Sequence, residues 1–336
     1  MKPAGPAIRR LSYWTVSILV SGVLLYGALR GVEWRRVWTV IAHADARYLA
    51  AATAVACWSF FLRSLRWRIL LNAEGRLGVG AVFWANMSGY LGNSFLPARA
   101  GEVIRSVLIS GRSGLSKTYV LTTALSERMM DAIALVLFSS IVLLGVNPKP
   151  AWMQDISGGM TIAAAAGALF VIVLPHSGGL MESMVKRIPL PAAIRARLLG
   201  LLHQILLGVR AFHDWGRLAG FSALTVAIWA SDTVGAMAGI RALGLHASFS
   251  AAVLLLAGMG LGSALPSTPG YVGVYQFAAV SILPLFGVPR DGAFAYSLVA
   301  QALSYVLVLA WGFPGFYLAR RQPPADPRGA AGAVVP

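Results

Sequence analysis

Charge is scarce in this 336-residue chain: 12% of residues carry it, against roughly 25% in an ordinary soluble domain. Acidic residues are scarcer still, 12 Asp and Glu against 28 Lys and Arg. With 57% hydrophobic residues and a mean hydropathy of +0.71, too little polar surface remains to cover a water-soluble fold. The one cysteine, Cys57, sits in an apolar run, which excludes an intramolecular disulfide and implies no thiol chemistry. Enzyme motifs are missing as well: there is no Walker loop, no GxSxG, no CxxC and no paired-Asp nucleotide-sugar motif. His43, His176, His203, His213 and His246 show no metal-ligand spacing. No catalytic residue, metal or cofactor is therefore expected. The basic excess points to cytoplasmic loops facing anionic lipid, and no nucleic-acid partner is expected.

What is present is apolar sequence in long runs, near 11–29, 46–62, 79–96, 118–146, 156–174, 218–240, 249–265, 270–287 and 292–318. Several reach the roughly 20 residues that span a bilayer. The expected class is all-α, a polytopic membrane helical bundle of about eight spans with re-entrant or broken helices. Residues 1–321 form one membrane domain, and the Pro/Gly/Ala-rich tail 322–336 is expected to be disordered. The first run is too long for a signal core and is read as an uncleaved span. Segment 79–96 contains Asn86, Ser88, Gly89, Gly92, Asn93 and Ser94, which suggest loose helix and a doubtful crossing. If it dips in and returns, twenty Lys and Arg fall on one side and seven on the other. That asymmetry places both termini in the cytoplasm, in the inner membrane. The basic piece 180–217 carries a helical apolar stripe from Ile194 to Phe212, which suits an interfacial or linker helix.

The most informative stretch is Gly89–Arg105, GYLGNSFLPARAGEVIR. Apolar sequence breaks there at Pro97 and Gly101 and ends in Arg99, Glu102 and Arg105. Charge at bilayer depth costs roughly 2.5–3.5 kcal/mol per residue, so it usually faces a protein-lined cavity and marks function. If helix resumes after Pro97, the three charges share a face. They then form either a salt-bridged helix start or an arginine fork for a phosphate oriented by Glu102. Glu127, Arg128 and Asp131 lie about 15 Å into the following span. Two acids against one base leave that triplet at −1, so a carboxyl is protonated or Arg99 or Arg105 completes it. An inter-helix clamp and a head-group path are both open for this triplet. Asp232 is a lone intramembrane acid, suited to proton coupling or to a structural hydrogen bond. In the run 263–270, Pro266, Pro269 and Gly270 forbid ordinary helix, while Ser267 and Thr268 offer hydroxyls to an anion. Both breaks need a polar interior, so Asn93–Pro97 and Pro266–Gly270 are expected to meet inside the bundle. Gly258 and Gly262, in GMGLG, read as a helix-contact motif.

NSFLPARAGEVIR, then ERMMD, then LPSTPGYVGVYQ with LFGVP after it, resembles the flippase-like membrane domain family. That family includes the transmembrane region of bacterial lysylphosphatidylglycerol synthases. The resemblance runs from about Trp34 to Tyr317 and rests on the order and spacing of the three motifs. Matching positions are Asn93, Pro97, Arg99, Gly101, Glu102, Arg105, Glu127, Arg128, Asp131, Pro266, Pro269, Gly270 and Gly273. Two positions depart: many relatives have Glu at Gln276 and Arg near Gln301. An amide pair there would replace an ion pair and remove charge coupling at that point. The resemblance implies a bundle that moves, or helps to move, a lipid. No aminoacyl-transferase segment appears, so lipid lysylation is not implied.

The expected function is movement of a phospholipid, glycolipid or polyprenyl-linked lipid between leaflets. The rivals are a membrane enzyme or accessory subunit of lipid-linked glycan assembly, and a proton-coupled solute carrier. The expected partner is a membrane lipid with an anionic head group. A second copy of the chain, or envelope-biosynthesis proteins, are further candidates.

Overall fold

Many apolar side chains of the long helices face outward, while a set of polar ones is buried. Val23, Leu144 and Phe313 are largely exposed, while Arg66, Asn86, Ser88 and Thr123 are buried. Hydrocarbon suits the first group, and only protein can satisfy the second. The computed structural model describes residues 6–96, 99–145, 178–187, 214–263 and 267–321 throughout, with Leu265 and isolated positions between 158 and 212.

Among the described residues the regular elements are all helical. They are α1 (Pro6–Leu29), α2 (Trp34–Ala42), α3 (Ala46–Leu71), α4 (Val79–Phe95), α5 (Ala100–Ser113), α6 (Lys117–Gly145), α7 (Gly178–Arg187), α8 (Trp215–Ala242), α9 (Phe249–Gly262), α10 (Val274–Ile282) and α11 (Arg290–Arg321). Local chemistry sets several starts. Asp45 accepts from the Arg47 amide at 2.7 Å, Asp214 from the Arg217 amide at 2.7 Å, and Ser248 from the Ala251 amide at 3.2 Å. Each satisfies a donor that the first helical turn leaves open.

Five helical stretches are long and apolar enough to cross a bilayer: Ala46–Leu71, Lys117–Gly145, Trp215–Ala242, Pro269–Phe286 and Arg290–Arg321. Trp14–Leu29 and Trp34–Ala42 would add a sixth as one span, although they meet at an 85° bend. The chain is thus a multi-pass helical membrane bundle. Most of the expected segment 156–174, the stripe 194–212 and the tail lie outside the described residues.

α3 packs along α8, and α4 lies against both α5 and α11. α4 departs from its expected looseness, since it is one continuous helix. Its glycines and small polar residues serve close packing. A Cβ on Gly101 would stand 1.8 Å from the Gly89 carbonyl oxygen, so α4 and α5 meet backbone to backbone. Contacts run from Asn93–Glu102 near the turn to Asn86–Arg105 further away, which makes the pair an antiparallel helical hairpin. On the far side of α4, Gly312 and Gly315 of α11 bring its backbone against Met87 and Trp84. Gly258 and Gly262 face Ile282 and Val274, so the GMGLG glycines are indeed a helix contact.

α3 also runs nine residues beyond the apolar segment that ended at 62. Arg63 and Arg66, which read as loop charges, are therefore helical and turned into the bundle. Arg99 and Arg105 also point inward. Four of the twenty charges counted as cytoplasmic are thus internal, and the remaining sixteen still outnumber seven.

Candidate functional site

Helix α9 stops at Gly262, and α10 begins only at Val274. Between them the chain makes a short 3₁₀ turn, Pro269–Tyr271, with φ of 73° at Gly270 and 87° at Gly273. Side chains are unwelcome at both: a Cβ on Gly270 would lie 1.8 Å from the Tyr305 hydroxyl, and one on Gly273 2.3 Å from the Ser21 carbonyl oxygen. The two departures from the family pattern hold this turn. Gln276 donates to Gln301 at 2.5 Å, Gln301 donates to the Gly270 carbonyl at 2.7 Å, and the Gly273 amide donates to Gln276 at 2.7 Å. The amide pair is a buried structural tie, and Gln276 does not line the chamber described below.

The other break, between α4 and α5, leaves Arg99 at φ 54°. Among the described residues only Arg99 and Tyr271 are non-glycines with positive φ, one in each broken element. Left-handed backbone costs such residues about 1–3 kcal/mol and persists where surrounding structure fixes it, often at functional sites. The two elements meet: Arg99 Nη2 donates to the Ser263 carbonyl at 2.7 Å and to its hydroxyl at 3.2 Å. Both Arg99 and Tyr271 line a chamber of about 390 Å³ at that junction. Pro97 and Pro266 lie outside the described residues. Ser267 and Thr268 are not in the chamber wall; Thr268 is tied to Ser21 of α1, and Ser263 supplies the hydroxyl instead.

Beneath the chamber is an ion network that the sequence only half announced. Arg66 Nη1 and Nη2 donate to the two carboxylate oxygens of Asp131 at 2.6 and 2.9 Å. Nη2 also reaches Glu127 at 3.0 Å, and Nη1 reaches Thr225 at 3.1 Å. Arg105 bonds Glu102 at 2.7 Å, Glu127 at 3.0 Å and Asn86 at 2.6 Å, its guanidinium 4.3 Å from the Trp67 ring centre. Arg128 donates to Glu102 at 3.1 Å and lies 3.6 Å from Asp131. Three arginines thus balance three acids, so no carboxyl need be protonated to neutralise the set.

This arrangement changes three expectations. Arg105 does not form a fork with Arg99: its side chain is 1% exposed, and its donors are committed to α4, α5 and α6. It is a clamp, as is Glu127, whose side chain is equally buried. Asp232 is not alone, because Arg63 Nη2 donates to it and Ser59 donates at 2.6 Å. Arg66 was missed altogether. The available signal was the formal −1 of Glu127, Arg128 and Asp131, open to protonation or to a further cation; Arg105 supplies one to Glu127 and Arg66 a second.

Arg63, Arg99 and Arg128 face the chamber with Glu102 and Asp131, giving its wall a formal +1. Tyr271 and Tyr275 stack there at 5.4 Å, beside Trp229. Among the described residues Arg99 has no carboxylate within ion-pair distance. Beside Leu135 and Trp229 the chamber abuts an apolar slot of about 220 Å³ between α6, α8 and α9. A polar room with cationic forks and an adjoining apolar slot can hold an amphipathic anion.

Fold and chamber together define a multi-pass helical membrane protein with broken elements around a charged interior. A family model described as the lysylphosphatidylglycerol synthase TM region matches residues 14–312, and the chain belongs to that family. It is similar to a UPF0104 membrane protein of Methanothermobacter thermautotrophicus, 22% identical over 91% of this chain and 92% of that protein. A second UPF0104 membrane protein, from Methanocaldococcus jannaschii, is 24% identical over 70% of this chain and 97% of its own. The glycosyltransferase AglD of Haloferax volcanii is 24% identical over 91% of this chain, but the match covers only 54% of AglD.

Proposed function

We propose that this protein carries a lipid with an anionic, phosphate-bearing head group between membrane leaflets, as a carrier and not an enzyme. The observation that supports this most is the chamber: three guanidinium groups and stacked tyrosines at the junction of two broken elements inside a membrane bundle. An anionic head group enters hydrocarbon only where fixed positive charge and donors replace its water. Planar guanidinium matches phosphate oxygens two at a time. Arg99 is the group best suited to first contact, since it holds only hydroxyl and carbonyl oxygen. Family membership supports the lipid part of this reading.

Reconstitution of the purified chain in proteoliposomes tests it directly. Fluorescent phosphatidylglycerol should exchange between leaflets faster than in protein-free vesicles, and a rate equal to the empty-vesicle rate defeats the proposal. A second reading, an accessory role in lipid-linked glycan assembly, is favoured by the similarity to AglD. It predicts accumulation of a lipid-linked glycan precursor in a deletion strain.

The proposed setting is the inner membrane with both termini cytoplasmic and the α4–α5 hairpin re-entrant. Single cysteines at Gly80 and Ser113, in a Cys57-free background, should both be labelled only from the cytoplasmic side. Labelling of the residue-113 cysteine from outside would make α4 a full crossing.

A further inference from the structure

Beside the central chamber lies a second one of about 320 Å³, bounded by α3, α8, α9 and α11. Arg63 and Trp229 stand in both walls, whereas Asp131 faces only the first and Asp232 only the second. The Arg63 guanidinium lies 5.6 Å from the Trp229 ring centre and donates to one oxygen of Asp232. Ser59 holds the other oxygen at 2.6 Å. Unlike Arg66, which is sealed at 1% exposure, these two side chains keep 16% and 18% of their surface open. A sealed pair is a clamp. A pair that opens onto two cavities is within reach of a competing anion.

We propose that Arg63 hands the head-group phosphate from one chamber to the other, with Asp232 as its exchangeable counter-ion. This rests on the lipid-carrier reading and adds a second station to it. A phosphate held by Arg99 and Arg128 reaches Arg63 and displaces Asp232, which stays hydrogen-bonded to Ser59. The phosphate leaves into the second chamber as Asp232 takes Arg63 back. An isolated guanidinium in a low dielectric would bind an anion too strongly to release it. A built-in carboxylate removes that difficulty: Asp232, held by Ser59 while it is displaced, competes for Arg63 and re-forms the ion pair as the phosphate leaves.

The test uses Asp232→Asn in the full chain, with a fluorescent phosphatidylglycerol as probe and a phosphate-free fluorescent ceramide as control. Binding is measured in detergent and leaflet exchange in proteoliposomes. The variant should bind the phosphatidylglycerol at least tenfold more tightly and move it at least tenfold more slowly, with ceramide binding unchanged. Adding Arg63→Gln should abolish the gain in affinity. A folded Asp232→Asn protein with wild-type affinity and rate overturns the relay. If Asp232→Asn does not fold, Arg63→Lys decides, since it keeps the ion pair but loses the planar fork. It should slow exchange at least fivefold at an unchanged melting temperature, and a wild-type rate overturns the relay. Wild-type protein that moves no lipid refutes the carrier reading and the relay together. Active wild type with unaltered variants refutes the relay alone.

Discussion

Arg66→Ala is expected to destabilise the protein by about 3–5 kcal/mol, the usual cost of removing one partner from a buried ion pair. Arg66 bridges α3 to α6 through Glu127 and Asp131 and reaches α8 through Thr225. Without it, three acids remain against Arg105 and Arg128, and Asp131 keeps only a 3.6 Å contact to Arg128. Combining Arg66→Met with Asp131→Asn restores the charge balance and should recover at least half of the loss, because neutral groups of similar volume often replace buried pairs at little cost. Thermal unfolding in detergent, followed by the loss of monodisperse protein, measures both variants. A single variant within about 1 kcal/mol of wild type, on that same scale of loss, would show that the network does not hold the bundle.

Arg99→Gln and Arg128→Gln should behave in the opposite way, losing transport and keeping the fold. Losing a hydrogen bond to a charged group costs about 1.5–3 kcal/mol. If it falls on the transport step, exchange slows by roughly 10- to 100-fold. Arg99 has no carboxylate to strand, and without Arg128, which is 28% open, Glu102 still holds Arg105 and Asp131 still holds Arg66. From the sequence, Arg128 is the one base within its triplet with Glu127 and Asp131, and its removal is expected to damage folding. In the structure Glu127 turns away to Arg66 and Arg105, so that burden falls on those two residues. Leaflet exchange in proteoliposomes, set beside melting temperatures, separates the two effects. If both variants exchange lipid at the wild-type rate, the chamber is not the path.

The membrane class, the helical segments and the two breaks were legible because they depend on local composition. A run of some twenty apolar residues has few alternatives in lipid, and Pro with Gly close by disfavours helix at 97–101 and at 266–270. The meeting of the two breaks was also legible, since each needs a polar surround that hydrocarbon denies it. Segment 79–96 was misjudged as loose because small and polar residues lower helix propensity in isolation. In the bundle the same residues let α5 and α11 approach closely, and contact with those helices supplies what propensity lacks.

Apolar run lengths and scarce charge already specify an all-helical membrane protein with charge inside it, and Arg99, Glu102, Arg128 and Asp131 are legible as residues of that interior. Which charges are clamps and which face open space emerges from the packed bundle. That distinction depends on which carboxylate each guanidinium meets, and the partners lie tens of residues apart: Arg66 with Asp131, Arg105 with Glu127, Arg63 with Asp232. Periodicity reports which residues share a helix face, but a pair across helices is fixed by how deeply the helices pack and in what register. Arg63 and Arg66 show this most directly. Three residues apart on one helix, they end in different roles because α6 seals one, while α8 leaves the other between two cavities.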